Sequence, residues 1–191
     1  MRIEVSDEQV REAFARVSTH PVFAESAELV RGGGQPLEMI RAMCANPDVL
    51  QGFADWSEAI YPGGSLDRDV QEVVILASSI ENACQFCVDS HVDMCRALGL
   101  SDDPAGLLES PGDMTAPQRL AVEWTQAVMR DSNQVPSELF NQVQGCFGDA
   151  GVVELTLLVG YINMLNMFNN TLENAYRGEM DSTSSGGGSS S

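Results

Sequence analysis

The segment "EVVILASSIENACQFCVDSH" (residues 72–91) contains the pattern from which both the fold and the function of this chain can be argued. Together with the residues before it, the stretch 67–82 is apolar almost all round, which is typical of a buried helix. The letters "ENA" (81–83) mark a break, and residues 84–98 have the periodicity of a second helix. The sequence therefore predicts two consecutive helices that can fold back as a hairpin, with three cysteines and a histidine on the second.

Helical periodicity also dominates the rest of the 191-residue chain, and strand alternation is scarce. The fold class is therefore expected to be all-α, a helical bundle. The further helices are predicted at residues 6–17, 21–31, 46–61, 115–130, 136–147 and 150–176. The predicted domains are an N-terminal helical extension (1–35), a main helical domain (36–178) and a flexible Gly/Ser-rich tail (179–191).

The formal net charge of -18 excludes some classes of partner. A nucleic-acid binder needs the opposite sign, because the neutralisation of phosphates supplies most of its affinity. An anionic membrane surface is disfavoured for the same reason. The charge favours solubility and identifies no partner by itself.

No segment has the pattern of a membrane span or a secretory signal. The longest apolar region, residues 152–168, carries Glu154 and two asparagines, whereas a spanning helix needs roughly 20 consecutive apolar residues. The N-terminus "MRIEVSDEQV" lacks the apolar core of a signal peptide. A cytoplasmic location is expected.

The cysteine cluster places four metal-binding residue types on one helical face, namely Cys84, Cys87, His91 and Cys95. Cys84 and Cys95 would nevertheless lie roughly 16 Å apart along the helix axis, at about 1.5 Å per residue. One zinc ion cannot reach both, and the only other histidine, His20, has no cysteine near it. We therefore expect no metal at this cluster.

A redox pair agrees better with the spacing. Cys84 and Cys87 are one helical turn apart, with alpha carbons about 5 Å from each other, so a disulfide between them is sterically easy. It would close a very short loop and add little stability, which suits a bond that is made and broken in a cycle. His91 is four residues after Cys87 and can reach its sulfur, where an imidazole favours the thiolate. Cys44, Cys95 and Cys146 are expected to be small buried hydrophobes.

Glu72 has two interpretations that the sequence leaves open. If the two helices fold back on each other, its carboxylate can lie beside His91 and orient the imidazole or relay a proton. Alternatively, Glu72 lies at the exposed start of its helix and pairs with Arg68, four residues before it.

The pattern Glu72-x11-Cys84-x2-Cys87-x3-His91 resembles the active-site signature of the alkyl hydroperoxidase D family, within the carboxymuconolactone decarboxylase-like superfamily. The resemblance runs from about residue 36 to 175. It implies an all-helical subunit that assembles into homo-oligomers and reduces peroxides or disulfides without metal, flavin or another cofactor. One departure is that Gln85-Phe86 stand between the cysteines, where the best-known members carry a second histidine.

The resemblance also implies a role for each residue of the pattern. Cys87 would be the attacking thiolate, which forms a sulfenic acid that Cys84 resolves as a redox-active disulfide. His91 and Glu72 would form the proton relay. The electrons would come from a lipoylated protein or another dithiol donor.

Two other classes of function are consistent with part of the pattern. The chain could be a non-catalytic oligomeric module that uses its cysteine pair for redox sensing or docking. It could also be a superfamily decarboxylase or isomerase of a small lactone, although that chemistry needs no cysteine pair. Asn163, Asn166 and Asn170 form a polar stripe on the last predicted helix, for which a subunit contact is favoured over a pocket.

Overall fold

A computed structural model describes residues 1–178, which form α-helices and short 3-10 turns with no strand among them. The all-α prediction is confirmed. The predicted Gly/Ser-rich tail at residues 179–191 lies outside the described residues. The helices are α1 Asp7–Val17, α2 Ala24–Arg31, α3 Glu38–Met43, α4 Pro47–Ile60, α5 Arg68–Glu81, α6 Gln85–Ala97, α7 Pro104–Glu109, α8 Ala116–Asp131 and α9 Ser137–Leu172.

The described chain divides into two compact units. The first contains Met1–Gly64 and Phe168–Ala175, and the second contains Ser65–Met167 and residues 176–178. The division falls inside α9, which contributes residues to both. The predicted boundary between an N-terminal extension and the main domain, at residues 35 and 36, stays a prediction.

The first unit is built around an aromatic cluster. Ser6 caps α1 and forms a reciprocal capping box with Gln9, as the sequence pattern predicted. The ring of Phe23 packs against Phe14, with centroids 5.9 Å apart, and against Phe53 of α4, at 6.2 Å. His20 lies at the edge of this unit, where its Nε2 is 3.3 Å from a Glu58 carboxylate oxygen.

The second unit is built around α5, which is buried on most of its circumference and packs against α6 and α8. Two carboxylates fix its N-terminal end. Glu154 of α9 accepts hydrogen bonds from the backbone N–H groups of Ser65 and Leu66, at 2.8 to 2.9 Å. Asp69 accepts one from the Gln118 side chain of α8 at 3.1 Å. Glu154, the charged residue of the longest apolar segment of the sequence, is therefore hydrogen-bonded to the residues that precede α5.

Helix α9 is longer than either of the two helices predicted in its place. The two helical segments are joined at Gly148, whose φ of 69° and ψ of 176° lie outside the helical region and favour glycine. By length and composition alone, α9 is a candidate membrane span. Of its most apolar stretch of 18 residues, 44% is buried within the protein. Leu155, Leu158 and Ile162 are among its core positions. The absence of a membrane span stays a prediction.

A matched pair of isoleucines on α5 tests this description of the core. Ile75 is fully buried and Ile80 is 47% exposed. Ile75→Ala should lower the free energy of unfolding by about 3 kcal/mol, because it removes buried methylene groups and leaves a cavity. Ile80→Ala should lower it by less than about 1 kcal/mol. Denaturant unfolding followed by circular dichroism measures both, and equal losses would contradict the burial of α5.

Candidate active site

The turn between α5 and α6 is set by backbone hydrogen bonds that close the end of α5. The N–H of Ala83 bonds the carbonyl of Ile80 at 3.0 Å, and the N–H of Cys84 bonds that of Ser79 at 2.9 Å. This is the Schellman arrangement, which requires a left-handed residue after the helix. Ala83 fills that position with φ 49°, a conformation that costs a non-glycine residue about 1 kcal/mol. Helix α5 therefore ends at Glu81 and α6 begins at Gln85, with only three residues between them.

The hairpin brings Glu72 of α5 against His91 of α6. The Glu72 side chain is 1% exposed. Its Oε2 lies 2.7 Å from Nδ1 of His91, and its Oε1 lies 2.9 Å from Nε of Arg68. The contact with His91 agrees with the first sequence interpretation and the pairing with Arg68 with part of the second, but the exposed position that the second gave Glu72 is wrong, because the side chain is buried. A buried carboxylate needs such partners, since an uncompensated charge in the interior is costly.

Cys95 completes the surroundings of Glu72. Its Sγ is 3.9 Å from Oε2 of Glu72, within reach of a weak S–H donor. Burial, followed by the nearby Glu72 charge, raises the pKa of the Cys95 thiol to about 12. Cys95 is therefore a neutral buried thiol, in agreement with the core position expected from the sequence.

The two cysteines of the C-x-x-C pattern are free thiols in contact. Their Sγ atoms are 2.9 Å apart, and both side chains are buried. Cys84 is the N-cap of α6, so it lies just outside the helix predicted to include it, while Cys87 lies in the first turn. The structure therefore brings the predicted pair together in a geometry from which a disulfide needs only a small approach of the sulfurs.

The pKa of the Cys84 thiol is lowered from its ordinary 9.0 to about 7. The hydrogen bond with the Cys87 side chain is the largest cause. Burial acts against it, and the backbone N–H of Cys87 and the side chain of Asn166 lower the pKa further. The lowered pKa favours the thiolate of Cys84, the form that is nucleophilic.

Asn163 and Asn166 have a role that the sequence analysis did not identify. Their side chains face into the second unit, where both accept hydrogen bonds from Nδ2 of Asn82 at 2.6 and 2.9 Å. The subunit contact favoured for this stripe is therefore wrong for Asn166, which is fully buried, and stays a prediction for Asn163 and Asn170. Their spacing on an otherwise apolar helix was the signal for a buried polar cluster, which needs internal partners.

The remaining cysteines differ from each other. Cys44 is buried as expected, and burial raises its pKa to about 11, with Arg41 acting weakly in the opposite direction. Cys146 is exposed, so its interpretation as a buried hydrophobe is wrong. Both residues are distant in sequence from the C-x-x-C pair. Within residues 1–178, no group of three or more His, Cys, Asp or Glu side chains is placed to hold a metal ion.

Phe86, one of the two residues between the cysteines, belongs to an aromatic contact. Its ring packs edge-on against Tyr176, with centroids 5.9 Å apart and planes at 78°. The Tyr176 hydroxyl donates to a carboxylate oxygen of Asp93, two turns further along α6, at 3.0 Å. This side of α6 is therefore covered by an aromatic pair.

The residues of this site lie within a segment that matches a known protein family. The profile of the carboxymuconolactone decarboxylase family matches residues 47–116, a range that includes Glu72, Cys84, Cys87 and His91. An uncharacterized protein of Bacillus subtilis (strain 168), YdfG, is 27% identical over 106 residues, which cover 53% of this chain and 72% of YdfG.

Solved structures share the fold along most of the chain. An uncharacterized peroxidase-related protein from Silicibacter sp. TM1040 has a TM-score of 0.73 at 15% identity, covering 94% of this chain and 93% of its own. A second one, from Ralstonia eutropha JMP134 and described as an alkylhydroperoxidase AhpD core, has a TM-score of 0.69 at 18% identity over 94% and 92%. A protein of unknown function from Agrobacterium tumefaciens, named as a candidate antioxidant defence protein AhpD, has a TM-score of 0.64 at 25% identity over 72% and 97%.

Substitution of the central carboxylate tests the geometry of the site. Glu72→Gln removes the negative charge that Arg68 and His91 share. We expect a loss of about 3 kcal/mol in the free energy of unfolding, because the Arg68 charge is left without its counter-ion. Glu81→Gln, on the exposed end of the same helix, is the matched control and should change stability by less than about 0.5 kcal/mol. Similar stability of the two variants in urea unfolding would show that Glu72 is not the buried partner of a cation.

Proposed function

Because the chain belongs to the alkyl hydroperoxidase D-like part of the carboxymuconolactone decarboxylase superfamily, we propose that it is a thiol-dependent peroxidase. In this proposal Cys84 and Cys87 cycle between a dithiol and a disulfide, and Glu72 and His91 relay protons. The observation that carries the proposal is the contact of the two sulfurs, 2.9 Å apart, at the start of the helix whose His91 is held by a buried carboxylate.

The first step oxidises Cys87. Its thiolate attacks the distal oxygen of a hydroperoxide, so that an S–O bond forms, the O–O bond breaks and the alcohol leaves after taking up one proton. His91 can take the thiol proton of Cys87 and return it to the leaving alcohol, because Cys87 and His91 lie four residues apart on one face of α6. Glu72 accepts from Nδ1, which leaves Nε2 as the ring nitrogen that exchanges protons with the site.

The second step closes the disulfide. The thiolate of Cys84 attacks the sulfenic sulfur of Cys87, the S–S bond forms, and hydroxide leaves and is protonated to water. Together the two thiols have given two electrons to the peroxide. A lowered pKa of the Cys84 thiol suits this attack, because it favours the thiolate and leaves the sulfur a good nucleophile.

The third step restores the dithiol with two electrons from an external dithiol, which becomes a disulfide itself. The side chains of Cys84 and Cys87 are 0% and 3% exposed. Such burial favours small hydroperoxides as oxidants. It also favours a reductant whose dithiol is carried on a long, narrow group, because a thiol fixed on the surface of a partner protein would not reach the two sulfurs. A dihydrolipoyl group on a lipoylated partner has that shape, and we include such a donor in the proposal.

Homo-oligomer assembly is part of the same proposal. Three large apolar side chains of α9 are exposed on one face of the helix, at relative positions i, i+4 and i+14, namely Val153, Leu157 and Met167. An exposed apolar stripe of this kind supports self-association. The cytoplasmic location and the absence of nucleic-acid and membrane partners are expectations from the sequence that accompany the proposal.

Peroxide treatment followed by mass mapping tests the function. One equivalent of an organic hydroperoxide should convert the reduced protein to the Cys84–Cys87 disulfide, and dihydrolipoamide should sustain turnover. Cys87→Ser should lower turnover roughly 10³-fold or more, because it removes the attacking thiolate. Cys146→Ser, which removes an exposed thiol, is the control and should leave turnover unchanged.

Two results would contradict the proposal. If the linked cysteines are not Cys84 and Cys87, the thiol cycle is wrong. If the disulfide forms but no peroxide is consumed beyond one equivalent with any dithiol, the chain is the redox-sensing module that the sequence analysis also considered.

A further inference from the structure

Three asparagine side chains connect the turn between α5 and α6 to α9. Asn82 is the C-cap of α5 and stands two residues before Cys84. Its Nδ2 donates to Oδ1 of Asn163 at 2.6 Å and to Oδ1 of Asn166 at 2.9 Å. Nδ2 of Asn166 in turn donates to the hydroxyl of Ser79, in the last turn of α5, at 3.1 Å. Helix α9 therefore holds this segment of the chain at two points, three residues apart.

The orientation of these amides follows from a backbone carbonyl. Nδ2 of Asn163 donates to the carbonyl of Val159 at 2.7 Å. Since a carbonyl can only accept, the oxygen of the Asn163 amide must face Asn82. The other neighbour, Asn166, also presents its oxygen to Asn82. The position of Asn82 therefore requires a side chain with an N–H donor.

Backbone hydrogen bonds pass this restraint on to Cys84. Its N–H donates to the carbonyl of Ser79 at 2.9 Å, and Ser79 is one of the two residues held by α9. Between Asn82 and Cys84 stands Ala83, whose φ of 49° lies in the left-handed region that a residue with a Cβ atom seldom adopts. Such a conformation persists where the surrounding contacts hold it. The hydrogen bonds of Asn82, the adjacent residue, are contacts of this kind.

The separation of the two sulfurs depends on this turn. Cys87 lies inside α6, where the helix fixes its backbone. Cys84 is only the N-cap, with φ -90° and ψ 90°, and α6 holds its backbone through one carbonyl, which accepts from the N–H of Val88 at 3.0 Å. The turn before Cys84 must supply the other restraint that keeps the sulfurs 2.9 Å apart.

We propose that Asn82 is a positioning residue, which holds Cys84 against Cys87 through its two hydrogen bonds to α9 and thereby speeds closure of the disulfide. The inference rests on the proposed peroxidase cycle and adds a residue outside the four-residue pattern. In the closure step the thiolate of Cys84 attacks the sulfenic sulfur of Cys87. The S–S bond forms, the S–O bond breaks, and the hydroxide that leaves is protonated to water. Asn82 acts through the backbone and supplies no proton or electron.

Fast closure protects the oxidised cysteine. Closure is intramolecular, so its rate depends on how much of the time the two sulfurs are in contact. When Cys84 is displaced, the sulfenic acid of Cys87 persists, and a second peroxide gives up one oxygen to it. The resulting sulfinic acid is not reduced again by thiols. Asn82 should therefore limit the loss of active protein at high peroxide.

The kinetic test compares Asn82→Ala with the wild-type protein at a single turnover. The substitution removes both hydrogen bonds to α9 and puts no charge near the sulfurs. We expect closure to slow roughly tenfold, because Cys84 is no longer held in contact with Cys87. The first reaction of Cys87 with peroxide should stay near the wild-type rate, and excess peroxide should yield more sulfinic acid. Rapid acid quench followed by mass mapping measures all three.

An equilibrium measurement needs no peroxide. A pair of sulfurs that is held less closely forms a less stable disulfide relative to an external dithiol. In Asn82→Ala the equilibrium constant for forming the disulfide should fall about tenfold, which is a rise of about 30 mV in reduction potential. Equilibration with dihydrolipoamide, followed by alkylation of the free thiols, measures it.

Two further variants keep the test decisive. Gln85→Ala is the matched control, because it truncates an exposed carboxamide on the other side of Cys84, whose Nε2 bonds Asp89 within α6 at 2.7 Å. It should leave the closure rate and the reduction potential unchanged. Asn163→Ala removes one of the two acceptors of Asn82 and serves if Asn82→Ala does not fold by circular dichroism. It should slow closure roughly threefold.

The outcomes separate this inference from the function on which it rests. Slower closure and a higher reduction potential in Asn82→Ala, with neither change in Gln85→Ala, would support it. A folded Asn82→Ala protein that closes its disulfide at the wild-type rate would overturn the inference alone, and so would equal slowing in the two variants. If the wild-type protein forms no Cys84–Cys87 disulfide with peroxide, the proposed function and this inference are both wrong.

Discussion

The buried carboxylate of Glu72 forms ion pairs with Arg68 on its own helix and with His91 on the next, and the geometry of the rest of the site follows from these two contacts. A carboxylate that is 1% exposed must be compensated, since an unpaired charge in the interior costs several kcal/mol. The His91 contact therefore restrains the register of α5 against α6. It also fixes the ring of His91 through Nδ1, one helical turn after Cys87.

Cys84 and Cys95 show how strongly the immediate neighbours control a thiol. Both are buried and belong to the same helix or its cap, yet their pKa values are about 7 and about 12. Cys95 faces the negative charge of Glu72, which adds to the effect of burial. The pKa of Cys84 is lowered by its hydrogen bond with the Cys87 thiol and, less strongly, by the Asn166 side chain, and these effects outweigh burial. The site thus keeps one sulfur close to ionisation and another protonated within a few turns of helix.

The sequence was sufficient for the helical class, because it depends on local periodicity. It was sufficient for the contact of Cys84 with Cys87 for the same reason, since the two are one turn apart. It could not decide between the two partners of Glu72, because that choice depends on the turn at Ala83 and on the second oxygen of the carboxylate. The contacts of Asn166 with Ser79 and Asn82 join residues 87 and 84 positions apart, a packing that only the three-dimensional fold determines, and the exposure of Cys146 depends on packing in the same way. The family profile strengthens the identification of the pattern without specifying these contacts.

The ring nitrogens of His91 offer the most direct measurement of the central claim, that Glu72 holds this imidazole in one tautomer. The chain has only two histidines, so nitrogen NMR with a His20→Gln variant identifies the His91 signals without ambiguity. In the neutral form of the ring, the account predicts a proton on Nδ1, bonded to Glu72, and none on Nε2. Glu72→Gln should weaken that preference. A neutral His91 with its proton on Nε2 in the wild-type protein would contradict the account.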